Sequence, residues 1–293
     1  MNKFTIVHLS DPQLTAATVV PRYHQQVSPI KKLQQVFDDV LSHQIQPDLI
    51  VIGGDLLQNG TAQDYAQLRS YLDVQADRLQ APIQVILGDQ DDRTAFNAGY
   101  LAQAHQRYYA YKQIYQNMDF YFLDSKWEAH KEAGWLDREQ LDWLNKNLHI
   151  APRRRAFIFL HHPLDAPALR SMRYTLLQNN RELLAILHGH NIGGVFAGHL
   201  HFGASYLVDN TIPVTAVGST ATYINCQNPH QHEVYDAVDY NVITIQRGIA
   251  SVTNHPLYLG QQVIDNITVT NTGFAKHRPR LTGMRRAVND PFG

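Results

Sequence analysis

At 293 residues and 44% hydrophobic, the chain can bury a substantial core, and it fits one large α/β domain or one domain with an appendage. Its 25 basic and 26 acidic residues give a formal net charge of −1, so bulk charge supports neither nucleic-acid binding nor a membrane-surface role. A single cysteine, Cys226, excludes an intrachain disulfide framework and suits a reducing compartment.

In chain order, Phe4 to Leu9 reads as a strand that the N-terminus enters directly, without the apolar stretch or cleavage site of a secretory leader. No later apolar run approaches the roughly 20 residues needed to span a bilayer, and a cytoplasmic protein is expected. Ser28-Pro29 then opens a helix in which Ile30, Leu33, Val36, Phe37, Val40 and Leu41 recur at helical spacing. Asp48 to Ile52 is an apolar strand of the kind buried on both faces. A helix over Thr61 to Leu79 follows, then strands over Ile83 to Leu87 and Phe120 to Leu123. Leu136, Leu141, Trp143, Leu144 and Leu148 mark a further helix after Trp135. Strands over Phe157 to Leu160 and Gly194 to Ala197 flank a helix over Arg181 to Leu187. From Ala204 the text changes to short β-rich pieces (205–208, 214–217, 241–245 and 250–253), with no helix between them. We find no internal repeat. The expected organisation is one domain over 1–272, β-rich in its second half over 204–254, and a polar, basic stretch over 273–293 that forms a tail or an arm on a neighbouring subunit.

The polar residues that follow these strands carry the chemistry. Asp11, Asp55, Asp89, His161 and His199 each lie just past the last apolar residue of a strand, and in open α/β sheets ligands collect beyond the carboxyl ends of the strands. Carboxylates with imidazoles suit Mn, Fe or Zn, and the lack of thiolates argues against a structural zinc site. Asp55, after Gly53-Gly54, is placed to bridge two ions. Two divalent ions about 3.5–4 Å apart could clamp an in-line displacement at phosphorus and generate hydroxide at neutral pH. His8 is expected inside the sheet, hydrogen-bonded. His230 and His232 are expected in a solvated loop, and Trp127, Trp135 and Trp143 as packing residues.

The ordered set Asp11-x-Gln13, Gly54-Asp55, Gly88-Asp89-Gln90-Asp91-Asp92-Arg93, His161-His162-Pro163 and Gly198-His199-x-His201 resembles the motifs of the calcineurin-like metallophosphoesterases over residues 4 to about 202. The run 88–93 and the segment from Gly134 to Leu144 are similar to the class III cyclic-nucleotide phosphodiesterase and glycerophosphodiesterase group. The resemblance implies a four-layer α/β/β/α sandwich with a dimetal centre at the sheet edges. It implies one metal at Asp11, Gln13, Asp55 and His201, and the other at Asp55, Asp89, His161 and His199. Three positions depart from the family pattern: Gln13 and Gln90 replace histidines and Asp89 replaces an asparagine. Asp89 favours a hard ion such as Mn or Mg and opposes an approaching phosphate anion. Gln90 stands where the family histidine assists the leaving group, with Asp91 in the orienting place, and loss of a general acid typically removes about 10²–10⁴ in rate. Asp92 and Arg93 are expected either to contact substrate or, equally, to form a salt bridge at a helix start, and His162 either to contact substrate or to pack behind the ligands.

The resulting expectation is a metal-dependent phosphoesterase acting on a small phosphomono- or phosphodiester, a cyclic nucleotide or glycerophosphodiester among them, by attack of metal-bound hydroxide. Mn, Fe or Zn would be its ions, with Mg as a further candidate and one of the two sites weak or empty. No nucleic-acid or membrane partner is expected, and self-association into a homo-oligomer fits the C-terminal arm. The alternatives are a degenerate scaffold or sensor with little turnover, and a nuclease, which the neutral charge disfavours.

Overall fold

The computed structural model describes residues 3–15, 27–228, 230–257 and 263–269; the expected C-terminal tail or arm lies outside them. The first half runs β1 (Phe4–Leu9), β2 (Leu14–Thr15), α1 (Pro29–Ser42), β3 (Leu49–Ile52), β4 (Leu57–Gln58), α2 (Ala62–Leu79), β5 (Ile83–Val85) and α3 (Arg93–Gly99). It continues through β6 (Tyr111–Tyr115), β7 (Met118–Phe122), α4 (Arg138–Ile150), β8 (Ala156–Phe159), a 3-10 helix (Pro167–Thr175), α5 (Asn180–Leu187) and β9 (Ile192–Ala197). Seven strands close it: β10 (Ala204–Val208), β11 (Ile212–Ala216), β12 (Tyr223–Asn225), β13 (Gln231–Tyr235), β14 (Val238–Gln246), β15 (Ile249–Leu257) and β16 (Val263–Thr268).

Two large sheets organise these pieces, one in the order β15-β14-β1-β3-β5 and the other β10-β11-β9-β8-β7-β6. Strands β1, β3 and β5 are mutually parallel, as are β7, β8, β9 and β11. The period-two pattern of the strands explains the layering. Ile6, Leu49, Val51 and Ile86 point inward to meet Phe120, Phe122, Phe157, Phe159 and Phe196 from the other sheet. Val7, Leu9, Ile50, Ile52 and Val85 point outward under α1, α2 and α3. Tyr121, Ile158 and Val195 point outward under α4 and α5. Three apolar layers between four layers of secondary structure make an α/β/β/α sandwich. Within the central layer the phenylalanines stack, with Phe122 and Phe159 rings 5.4 Å apart and Phe159 and Phe196 5.0 Å apart.

Local chemistry sets the helix boundaries. Ser28 is extended and Pro29 occupies the first turn of α1. At α2, Thr61 and Asp64 form a reciprocal capping box, and Gln80 closes the helix in the left-handed region. Strands expected at 4–9, 48–52, 83–87, 120–123, 157–160 and 194–197 form with ends displaced by at most two residues. Elements without an expectation are short or at edges: α3, started by Asp92 accepting from the Ala95 amide at 2.7 Å, the edge strand β6, the 3-10 helix, and the small sheet β12-β13-β16. That small sheet corrects the loop assigned to His232, which is buried on β13 beside Val234 with its ring 3.6 Å from Cys226 Sγ. His8 lies inside the sandwich as expected, edge-on to Phe159, but neither ring nitrogen has a hydrogen bond among the described residues, which corrects the second half of that expectation. Burial lowers its pKa to about 3, against the pull of Asp11, so it is neutral. Trp143 packs on Tyr121 in the outer layer, and Trp127 packs on Trp135.

One buried cation ties helix to sheet. Lys32, on the core-facing side of α1, is fully buried and reaches both the Asp236 carboxylate before β14 and the Ala221 carbonyl. Burial lowers its pKa and Asp236 opposes that shift. Truncating one member of a buried pair leaves the other charge uncompensated, so Lys32→Ala is expected to cost about 3–5 kcal/mol. Urea unfolding of the two proteins checks this.

Candidate metal centre

The loops after β1 and β3 are zipped together: the Asp11 amide donates to Gly54 O at 3.0 Å and the Gln13 amide to Asp55 O at 2.8 Å. This pairing needs unusual backbone. Asp11, Gln13 and Asp55 have φ of 53°, 44° and 52°, and His199 and His201 have φ of 70° and 58°. Each such residue costs on the order of 1–3 kcal/mol and persists only where its surroundings fix it. Gly54 has φ 99°, and a Cβ at Gly88 would stand 2.1 Å from Asp55 Oδ1, so neither position accepts a larger residue without movement.

The donor atoms converge on His161. Its Nε2 is 3.1 Å from His199 Nδ1, 3.3 Å from Asp89 Oδ1, 3.5 Å from Asp55 Oδ1 and 3.8 Å from Asp11 Oδ1. Its Nδ1 lies 2.6 Å from Gly53 O, which fixes the ring and leaves Nε2 facing the cluster. His199 Nδ1 is 3.1 Å from Asp89 Oδ1, and its far nitrogen meets Glu132 O at 3.0 Å. Two groups could hold a metal ion: Asp11, Asp55, His161 and His199, and Asp89, His161, His162 and His199. His162, expected at the substrate, is fully buried, with Nδ1 2.8 Å from Ser125 Oγ and Nε2 4.0 Å from Asp89 Oδ1.

Electrostatics show a cluster short of positive charge. Burial opposes every charged form here. Asp11 is nevertheless held down at about 2 by His161, His201 and His199, and Asp89 falls well below the carboxylate range through His199 and His161. Asp55 is pushed up to about 8 by burial and by Asp89. His161 rises to about 10 because Asp55, Asp11 and Asp89 outweigh its burial. His162 is held neutral by burial, with His199 and His161 adding to it and Lys126 contributing. Asp11 Oδ1, Asp89 Oδ1 and His162 Nε2 are buried without a hydrogen-bond partner among the described residues. Oxygen and imidazole donors left in this state fit a divalent cation, which would replace the protons now shared among them.

The remaining expected residues fall into a second group. Gln13 Nε2 lies 3.3 Å from Asp55 Oδ2 and 3.2 Å from His201 Nε2, while its carbonyl accepts from Gln58 at 3.2 Å. His201 Nε2 is 3.5 Å from Asp11 Oδ1, and Thr222 holds its other nitrogen at 2.7 Å. That half of the centre is therefore spanned by an amide. Gln90 donates its side chain to Asp89 Oδ2 and its backbone amide to Asp55 Oδ1. Asp91 turns inward, accepting from the amides of Leu56, Leu57 and Gly88 and from Tyr65 Oη at 2.8 Å. Asp92 caps α3. Arg93 is buried against Asp124, at 2.8 and 3.0 Å, with Glu128 at 2.7 Å. A residue without a sequence signal approaches instead: Lys126 Nζ donates to Asp89 O at 2.8 Å.

Residues 4–203 match the calcineurin-like phosphoesterase profile. The chain belongs to that family. It is 27% identical over 221 residues to a probable cyclic nucleotide phosphodiesterase of Rhodococcus erythropolis, covering 74% of this chain and 71% of that protein. Over 219 residues it is 26% identical to a cAMP/cGMP dual specificity phosphodiesterase of Mycobacterium tuberculosis, covering 74% and 67%. A probable glycerophosphodiester phosphodiesterase of Arcobacter nitrofigilis is 29% identical over 181 residues, covering 58% and 63%. A dimetal phosphatase from Danio rerio shares the fold with a TM-score of 0.57 at 15% identity, over 86% of this chain and 98% of that one. Calcineurin-like phosphoesterases are metal-dependent hydrolases, and the His/Asp groups described above could hold such ions. Among the described residues no helix is long and apolar enough to cross a membrane.

Beside His201 the two sheets of this calcineurin-like phosphoesterase part around a cavity of about 830 Å³, lined by Tyr223, Tyr235, Asp239, Asn241 and Asn254 among others. Burial pushes the Asp239 carboxyl up to about 6, against hydrogen bonds from Asn254 and the Gly218 amide. In the unfolded chain it ionises near its ordinary value of 3.8. Its ionisation therefore lowers stability as pH rises from about 4 to about 6, and the loss is complete above that window. Asp239→Asn is expected to melt higher than the parent at pH 7.5, by about 2–4 °C per kcal/mol relieved. The difference should close at pH 4, as followed by circular dichroism.

Proposed function

We propose that the protein is a divalent-metal-dependent phosphoesterase acting on a small phosphomono- or phosphodiester. The observation that carries this reading is the convergence of Asp11, Asp55, Asp89, His161, His162 and His199, with two buried carboxylate oxygens and an imidazole nitrogen that have no hydrogen-bond partner among the described residues. Asp55, Asp89, His161 and His199 would hold one ion, with His162 Nε2 as a further neutral donor. Asp11, Gln13, Asp55 and His201 would hold the second, more weakly, because Gln13 offers an amide in place of an imidazole. Mn, Fe, Zn or Mg in these positions would supply Lewis acidity and a water activated near neutral pH. His161 and His199 are oriented for that task by Gly53 O and Glu132 O. Gln90 assists only as a hydrogen-bond donor, since an amide has no usable proton equilibrium, so the reading favours esters with good leaving groups over cyclic nucleotides. The relatives named as cyclic-nucleotide and glycerophosphodiester phosphodiesterases support a diester substrate.

A second reading is a weakly active member that serves as a metal- or nucleotide-binding scaffold. It is favoured by one observation, the Gln13 amide that already joins Asp55 to His201.

Protein stripped of metal and reloaded with Mn, Fe, Zn or Mg separates the two. On bis-p-nitrophenyl phosphate the reloaded chain is expected to turn over, and His199→Ala to lose that activity by about 100-fold or more. Elemental analysis is expected to find one firmly held ion per chain, the second appearing only with metal in excess. Gln90→His should raise turnover of cyclic AMP more than that of the activated diester, because only the poorer leaving group needs a proton; a restored acid is worth up to about 10²–10⁴. Activity that arises only after Gln13→His and Gln90→His are combined would overturn the enzyme reading in favour of the scaffold.

A further inference from the structure

After β7 the chain passes beside the candidate centre as Asp124, Ser125 and Lys126, and each is fixed in a different way. Asp124 is fully buried and takes Arg93 through two nitrogens, the Tyr109 amide at 2.8 Å and the Lys126 amide at 3.1 Å. Gln140 of α4 clasps its backbone from both sides, at 2.7 and 2.9 Å. Ser125 Oγ accepts from the His162 amide at 3.2 Å and meets its ring at 2.8 Å. The Lys126 side chain is thereby directed at the centre, where its ammonium gives one hydrogen to Asp89 O at 2.8 Å. An ammonium has three donors. Its nearest acid, Glu128, is 3.9 Å away, 63% exposed, and bonded at 2.7 Å to Arg93. Arg93 itself is committed to Asp124, Glu128 and the Lys126 carbonyl.

The charge of Lys126 answers a specific deficit. Asp89 places a carboxylate where the resembling motif has a neutral asparagine, which lowers the net positive charge of a loaded centre by one and repels a phosphate anion. A lysine hydrogen-bonded to the backbone of that same residue restores the lost charge within a few ångströms of where it is missing. Its four-carbon stem lets the remaining donors turn toward an anion without releasing the loop.

We propose that Lys126 is the phosphate-binding cation of this centre, donating to a non-bridging phosphoryl oxygen and offsetting the negative charge of Asp89. The proposal rests on the phosphoesterase reading for its placement of metal and substrate, so its test uses binding as well as turnover. Inorganic phosphate is titrated calorimetrically into the metal-loaded full chain, with metal content measured for each variant. Lys126→Met and Lys126→Gln are expected to weaken phosphate binding by about 10-fold or more, the scale of one charge-assisted hydrogen bond. Lys126→Arg, which keeps the charge, is expected to retain most of the affinity. Lys126→Met is expected to cost less phosphate affinity in the Asp89→Asn background than in the parent, a non-additivity across the four proteins that a merely structural lysine would not produce. In turnover of bis-p-nitrophenyl phosphate, the loss should fall mainly on KM.

Phosphate affinity unchanged by Lys126→Met, or absent in the parent, overturns the proposal. Loss of bound metal from both Lys126→Met and Lys126→Gln overturns it too, by assigning the lysine to holding the Asp89 backbone. A parent that binds phosphate through Lys126 but turns over no ester leaves this proposal standing and removes the phosphoesterase reading.

Discussion

Asp11, Asp55 and Asp89 are buried together where two β-sheets end, and the backbone leaves them no means of separating. Like charges buried together in a low-dielectric interior repel one another more strongly than in water. Protein cations and shared protons compensate in part, which is why burial and Asp89 push the Asp55 carboxyl up while Asp55, Asp11 and Asp89 pull the His161 imidazole up against its burial. The arrangement is therefore a permanent demand for positive charge at one point of the fold. The glycines, the zipped loops after β1 and β3, and the ring anchors on His161 and His199 serve to keep that demand from being relieved by relaxation.

Two buried basic residues outside the cluster brace it. Lys32 draws α1 onto the segment that contains Ala221, next to Ser219, whose hydroxyl donates to Asp11 O at 3.0 Å. Arg93 plays the corresponding part on the other side, tying α3 to Asp124 and so to the chain that lies over His162. Both are cations beside carboxylates, and neither faces the donor atoms of the centre. The core supplies the rest: stacked phenylalanines between the sheets set the distance at which residues from β1, β3 and β5 meet those from β8 and β9.

Much of this was legible in the sequence because it depends on residues near one another in the chain. Apolar runs of four to six residues specify buried strands, and a carboxylate or imidazole just past each run can only project from a sheet end, so Asp11, Asp55, Asp89, His161 and His199 were readable together. Inward-facing polar residues were not. Whether Lys32 lies on the wet or dry side of α1, or Asp239 faces solvent or the gap between sheets, depends on what packs opposite, and that partner is some 200 residues away for Lys32. Lys126 carried no signal, since its distinction is a hydrogen bond to a backbone 37 positions earlier. Arg93 read equally as a substrate contact or as a salt bridge at a helix start, and its guanidinium, turned into Asp124 at the start of α3, takes the second part. His232 misled for a different cause: a short strand entered through Asn228 and Pro229 has the composition of a loop.

The left-handed backbone at Gln13 is fixed by main-chain bonding rather than by its side chain. Residue 13 has φ 44°, held by its amide bond to Asp55 O, so an imidazole placed there would be presented by the same peptide. Exchange between glutamine and histidine at this position therefore alters the donor offered to the centre and asks for no refolding of the loop that carries it.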